Sequence, residues 1–547
     1  MNLSFLLRRK VIFGLMAGCI SIVILFGLWA IVFDLSVVGD ARPVAVTLSK
    51  KTTYITEPLR ADGSVDYLAA INQRCSEGVT LENNASVLIW QALGPEPHPA
   101  ATRAKFFELL GIPLPSKEGD YFVSLEQYAR KKCETDDSTE VATKNQARQV
   151  EEIELQLDAA TTRPWTKNEF PVLADWLEAN EKPLALVIQA THRSHRYDPL
   201  VADPNEPNQV MSADLSMVES RSLAGALIAR SMLRVSEGRF AEAWQDLLAT
   251  HNLSRLVAEG PMLVEELVGI AINEKACAGE RAFLQYVELS REQATRMLDD
   301  LNKLLPLDNM VDKLDAGERF SCLDNIFSVA HEMSGNLIFG KQIDPYLQKL
   351  AKLSGKSKID WDLIFTNVNS WWDRQIAACR LPTRPMRDAA IVEMDDELRK
   401  RAEDAKGITQ SIRAVLDSRR VVSENMATVF LALLLPAASA ACDAELRAQM
   451  DLDLTKLAFA LAGYRADHTS YPERLSNLVP QYIAKVPDDI FVDAPLRYIV
   501  KDDGYLLQSV GHDGEGVEVP ADGKEHEEVW SDDLIVRMHP LLPRRGR

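Results

Sequence analysis

The chain is short of positive charge. Its 61 Lys and Arg face 80 Asp and Glu, a formal net charge of −19. Nucleic-acid backbones are bound by clustered basic residues. The acidic balance and the missing basic patch therefore argue against a nucleic-acid partner. Aromatics are sparse at 7% of residues, and the abundance of Ala and Leu favours helix. Cys-x-x-Cys is absent. Cys75, Cys133, Cys277, Cys322, Cys379 and Cys442 stand at long, irregular spacings, which weakens zinc and thioredoxin-type readings. Cys75 and Cys133 flank one small segment and could pair; unpaired buried thiols are the equal alternative.

Motifs of common enzymes are missing too. There is no Gly-x-Ser-x-Gly elbow and no dinucleotide fingerprint. Gly355-Lys356-Ser357 has Leu350 where a phosphate loop needs its first Gly. His331-Glu332 runs into Met-Ser-Gly and lacks the second His of a zinc-protease helix. His192 and His195 have the spacing of two ligands on one helix face, but Arg193 and Arg196 would repel a cation. Loop histidines are expected there. The pair Trp371-Trp372 lies in a helical stretch and is expected to pack in a core or interface.

What is present begins with a membrane signal. Arg8, Arg9 and Lys10 precede an uncharged run over residues 11–33, long enough as a helix to cross a hydrocarbon core of about 30 Å. The basic cluster holds the first residues in the cytoplasm and sends the rest across. A cleaved signal peptide is the rival reading, but its apolar core runs about 7–15 residues before a small-residue site. Here the run ends in Ile31-Val32-Phe33-Asp34 without one. The expected location is the bacterial inner membrane, N-terminus in, with the bulk of the chain in the periplasm.

Five stretches follow from the pattern: a cytoplasmic tail at 1–10, the transmembrane anchor at 11–33, a stalk with a small helical segment at 34–145, a helical body at 146–425, and an α+β end domain at 426–547. The fold class is mainly α, with a small antiparallel sheet near the C-terminus. Residues 131–145 read as a polar loop. Within the body, Leu223, Leu227, Ile228 and Leu233 mark one helix. Gly238 breaks it, and Phe240, Ala243, Trp244 and Leu247 mark a second. Gly238, Phe240 and Ala243 resemble the turn and second helix of a tetratricopeptide hairpin, although no second copy stands at the repeat period. Residues 426–442 form a second apolar stretch interrupted by Pro436, expected as a buried helix.

The last hundred residues carry an ordered series: Tyr464-Arg465-Ala466-Asp467-His468, Tyr471-Pro472, Leu478-Val479-Pro480, Val486-Pro487, Tyr498, Gly504-Tyr505, and Ser509-Val510-Gly511 before Asp513-Gly514. This series resembles the C-terminal half of type IV pilin-like proteins, closest to the major pseudopilin of type II secretion. The resemblance implies an amphipathic helix leading into a compact sheet, here in mid-chain and so borrowed as a globular end domain. It also implies a calcium loop, with Asp513, Asp532 and Asp533 as candidate ligands; calcium takes six to eight oxygens. A solvated acidic loop is the plain alternative. The whole chain also resembles uncharacterised membrane-anchored proteins of planctomycete-type bacteria, through Glu77-Gly78-Val79-Thr80 with Asn83-Asn84, Arg163-Pro164-Trp165 and Glu181-Lys182-Pro183-Leu184.

With no complete catalytic constellation in view, the expected role is a non-enzymatic structural or adaptor protein of the envelope. Its partners would be the membrane and other envelope proteins, including secretion or pilus components. A docking factor for a secretion or pseudopilus machine is one alternative. An exported hydrolase with scattered catalytic groups is another, because such groups converge in space and not in order.

Overall fold

A computed structural model describes residues 46–134, 140–203, 210, 213, 218–307, 310–334, 359–409, 419–434, 437–501, 503–511, 514 and 533–538. The expected anchor at 11–33 lies outside them. Among the described residues no helix is long and apolar enough to cross a membrane.

The described chain is mainly helical. Seven helices come first: α1 Tyr67–Cys75, α2 Ala85–Leu93, α3 Arg103–Leu110, α4 Leu125–Lys132, α5 Glu140–Thr162, α6 Pro171–Ala179 and α7 Glu181–Ala190. A longer series follows: α8 Val218–Ser236, α9 Phe240–Ala258, α10 Leu263–Tyr286 and α11 Arg291–Asn302. Then come α12 Met310–Lys313, which runs through a π-turn into α13 Arg319–Ser334, and α14 Trp361–Cys379, α15 Arg384–Thr409, α16 Arg419–Leu434 and α17 Ala437–His468. Many starts are written locally. Asp66, Asn84 and Asp360 cap α1, α2 and α14. Ser124 with Gln127 and Ser290 with Gln293 form capping boxes on α4 and α11, each satisfying two otherwise orphaned N–H groups. The polar stretch after α4 is shorter than its composition suggests, since α5 already begins at Glu140 and turns Val150 and Ile153 into the core.

The hairpin at Val218–Ala258 forms as its spacing predicts. Gly238 sits at φ +78° in the turn, a conformation that disfavours any residue with a Cβ. Ala243 is fully buried, and Ser231 Oγ donates to its carbonyl at 2.9 Å. The next crossing is closer still. A Cβ on Gly269 of α10 would stand 2.6 Å from the Ser254 carbonyl of α9. α9 and α10 are buried on nearly all sides, as central helices must be.

Two hydrophobic clusters hold the molecule, and both draw on residues from either side of position 425. The first joins Trp90, Trp165, Trp176 and Leu227 to Leu454, Leu457, Leu507 and Val536. The second joins Tyr67, Phe327, Phe365 and Trp372 to Phe430 and Ala448. α10 and α17 pass through both. Residues 46–55, expected within a stalk, dock on the body instead. Thr47 N–H and Oγ1 donate to Asp362 at 2.8 and 2.7 Å, Tyr67 Oη donates to Thr53 O at 2.8 Å, and Arg319 stacks 3.9 Å from the Tyr54 ring centre.

The second apolar stretch divides between α16, which ends at Leu434, and α17, which starts at Ala437. Phe430, Leu431 and Ala441 are buried in it. After α17 the chain makes a short hairpin, β1 Asp488–Asp489 with β2 Ala494–Pro495. It then forms a three-stranded antiparallel sheet in the order β3 Arg497–Lys501, β4 Gly504–Ser509, β5 Leu534–Met538. Tyr498, Leu507 and Val536 align across the inner face. The Asp489 carboxylate accepts from Ser509 Oγ at 3.0 Å and Val510 N at 2.8 Å, tying the hairpin to the end of β4. β5 packs against α10 and α17.

Candidate functional site

The most concentrated chemistry lies where α9, α10 and α17 meet. His251, Asn273, Cys277 and Glu280 are all fully buried. On α10 these positions follow helical spacing, so Asn273, Cys277 and Glu280 form one polar stripe facing His251. Ligand atoms of His251, Cys277 and Glu280 lie within 4.8 Å of one another, a donor set of the kind a divalent cation such as zinc uses.

The neighbours decide how this set behaves. His251 Nδ1 stands 3.1 Å from Asn273 Oδ1, and Nε2 stands 3.1 Å from Glu280 Oε2. The Glu280 contact is close but not aligned as a hydrogen bond, and neither Glu280 oxygen has an aligned donor. Arg255 Nη1 donates to Asn273 Oδ1 at 2.7 Å and Ser254 Oγ at 2.8 Å, and it lies 3.2 Å from His251 Nδ1. Arg281 Nη1 donates to Asp451 Oδ1 at 2.8 Å and Thr455 Oγ1 at 2.9 Å, bringing α17 into the network. Burial lowers Arg255 to about 10. Burial, helped by Asp451 and Glu280, pushes the Cys277 thiol well up. A bound cation would thus meet two guanidinium groups and a thiol held in its neutral form. The arrangement suits an imidazole–carboxylate pair steadied by Arg255, sealed between helices.

A second group lies at the N-terminal end of α10. Arg196, Asp198, Glu259 and Glu265 line a crevice of about 10 Å³ with Cys75 and Tyr197, room for roughly one water. Arg196 Nη2 pairs with Asp198 at 2.8 Å, and Trp90 Nε1 donates to Asp198 at 2.8 Å. Glu265 accepts from Met262 N at 3.0 Å, yet burial pushes its carboxyl up to about 7.

The residues singled out in the sequence disperse. Asp513 and Asp532 lie outside the described residues. Asp533 immediately precedes β5, where its Oδ2 accepts from Gln508 Nε2 at 2.6 Å. Gly355-Lys356-Ser357 also lies outside the described residues. His192 and His195 sit exposed in the turn after α7, and His195 N and O bond the backbone of Asn83 and Ala85. Trp371 and Trp372 are core residues, with Arg374 and Arg401 stacked on Trp371. Cys75 and Cys133 are not joined: Cys75 packs beside the second cluster and Cys133 beside the first.

Strings singled out in the first half of the sequence are joints. Asn83 Oδ1 accepts from Thr80 N at 2.7 Å, Asn84 bonds both N and O of Tyr197, and Trp165 Nε1 donates to Ala229 O at 2.9 Å. The buried polar stripe itself was missed in the sequence. Its signal was Asn273, Cys277 and Glu280 at four- and three-residue spacing along one face of the helix. Comparisons with protein-family models, curated proteins and solved structures give no match.

Proposed function

We propose that this is a single-pass envelope protein, anchored by residues 11–33 in the inner membrane, whose helical body and C-terminal α+β module act in the periplasm as a structural adaptor. One observation carries the reading: the C-terminal sheet offers an open, partly apolar outer face. Ile499 and Ile535 are 42% and 38% exposed, and Arg497 and Lys501 flank Ile499 on the same strand. Among the described residues β3 is an edge strand, and edge strands with apolar flanks accept partner chains by strand addition. The ionisable clusters support the same reading from the inside. Those of α9 and α10 are sealed, and the crevice by Glu265 has no room for an organic substrate.

A docking role toward a secretion or pseudopilus machine is the second reading. It is favoured by the passage from the long helix α17 into an antiparallel sheet, the order of parts in pilin-like subunits. Crosslinking of the tagged full-length protein in native membranes, with and without a calcium chelator, tests both. Recovery of envelope proteins insensitive to chelation fits the adaptor. Recovery of secretion or pilus components, lost on chelation, fits docking through the loop that holds Asp513, Asp532 and Asp533. Capture of no partner under either condition counts against both.

A further inference from the structure

Cys379 ends α14 and Cys442 lies near the start of α17. They are 63 residues apart in sequence, yet their sulfurs stand 3.7 Å from one another. That is van der Waals contact between two thiols. Bond formation needs an approach to about 2.05 Å, a movement that side-chain rotation and small helix shifts can supply. Cys379 is buried in the second cluster, and Cys442 is half-buried beside it.

Cys379 differs from the other sealed thiols, its partner included, since the hydrogen bond to Cys379 and burial push the Cys442 thiol well up. Burial pushes Cys277 well up and Cys322 up to about 12, which makes them poor nucleophiles. Cys379 moves the other way. The hydrogen bond from Cys442 lowers it, burial opposes, and the nearby Arg387 charge lowers it again.

We propose that Cys379 and Cys442 form a disulfide that staples the end of α14 to the start of α17. The setting rests on the exported placement of the body, since exported chains meet oxidised dithiol carriers. The exchange runs in two steps. One thiol of the pair loses its proton and attacks one sulfur of the carrier disulfide, giving a mixed disulfide and releasing one carrier thiol. The other thiol of the pair then loses its proton, and its thiolate attacks the protein sulfur of the mixed disulfide and expels the second carrier thiol. The pair loses two protons and two electrons, and the carrier disulfide gains both electrons and becomes two thiols.

The test uses the full-length protein in two arms. Native membranes are quenched in acid, free thiols are alkylated, and the protein is digested with trypsin without reduction. The expected product joins peptide 375–380 to peptide 421–447 at two daltons below the sum of the reduced peptides. In the second arm the reduced, detergent-solubilised protein is titrated with oxidised glutathione and digested the same way. Cys379→Ser and Cys442→Ser each leave one partner open to maleimide, with an unchanged helical circular dichroism spectrum. The linked peptide in both arms supports the staple. The linked peptide only with glutathione keeps the pair and overturns the exported placement. Alkylation of both thiols in both arms, or linkage of Cys442 to another cysteine, overturns the proposal.

Discussion

The α8–α9 hairpin and helix α10 both bury carboxylates, and they compensate them in opposite ways. Asp246, fully buried, receives Arg230 Nη2 at 2.7 Å, Arg230 Nε at 3.1 Å and Arg234 Nη1 at 2.6 Å. Both arginines come from the preceding helix of the same hairpin. Glu280, also fully buried, has His251 Nε2 at 3.1 Å without an aligned hydrogen bond, and Glu265 has one backbone donor and a raised affinity for its proton. A buried charge is tolerable only when paired and hydrogen-bonded. The hairpin meets that condition between residues only 16 and 12 positions apart in the chain. Helix α10 meets it incompletely and only by meeting other helices, so its carboxylates should respond to mutation quite differently, although burial raises the Asp246 carboxyl as it does that of Glu265.

The largest expected effect breaks the well-compensated site. Arg230→Met strips two of three donors from Asp246 and should lower the unfolding free energy by about 3–5 kcal/mol, read by urea denaturation. A loss below about 1 kcal/mol would show that Arg234 alone suffices and would erase the contrast.

The next effect lies in pH. The carboxyl of Glu265 is raised in the folded state, so the native protein holds a proton that the unfolded chain releases. Its contribution is fully present below the ordinary carboxyl value of about 4.3 and fades as pH rises through about 7. Stability should therefore fall across that window. Glu265→Gln keeps the cap on Met262 N–H, flattens that slope, and should stabilise the protein at pH 8 by about 2–3 kcal/mol. Thermal melts of both proteins at pH 5 and pH 8 check this; equal slopes would refute it.

The smallest effect concerns Glu280. Glu280→Gln replaces a buried carboxyl that has no aligned donor and should change stability by no more than about 1 kcal/mol. A loss above about 3 kcal/mol would mean that Glu280 is compensated as fully as Asp246. Calorimetry of this variant beside Arg230→Met sharpens the comparison directly.

Legibility in the sequence follows the same division. The small antiparallel sheet was expected from the resemblance of the last hundred residues, whereas the turn at Gly238 was readable because it depends on neighbours a few residues away. The exposed turn at His192 and His195 was readable for the same reason. The docking of Thr47 on Asp362 was not, because the partners stand 315 residues apart. Nor was the exchange of partners between clusters, in which Ala448 joins Tyr67 while Leu454, less than two turns on, joins Trp90. Polar residues in apolar helices could be noticed in the sequence, yet their pairing could not.

By itself the sequence determined that the chain is acidic and largely helical, with a membrane-length apolar run at its start. Charge balance, helical periodicity and turn chemistry act over short distances along the chain, so they leave local marks. Tertiary structure alone decided that His251 faces Glu280, that burial raises the Glu265 carboxyl, and that Cys379 touches Cys442. Those outcomes depend on helix packing that sets distances between residues remote in sequence and removes water from between them.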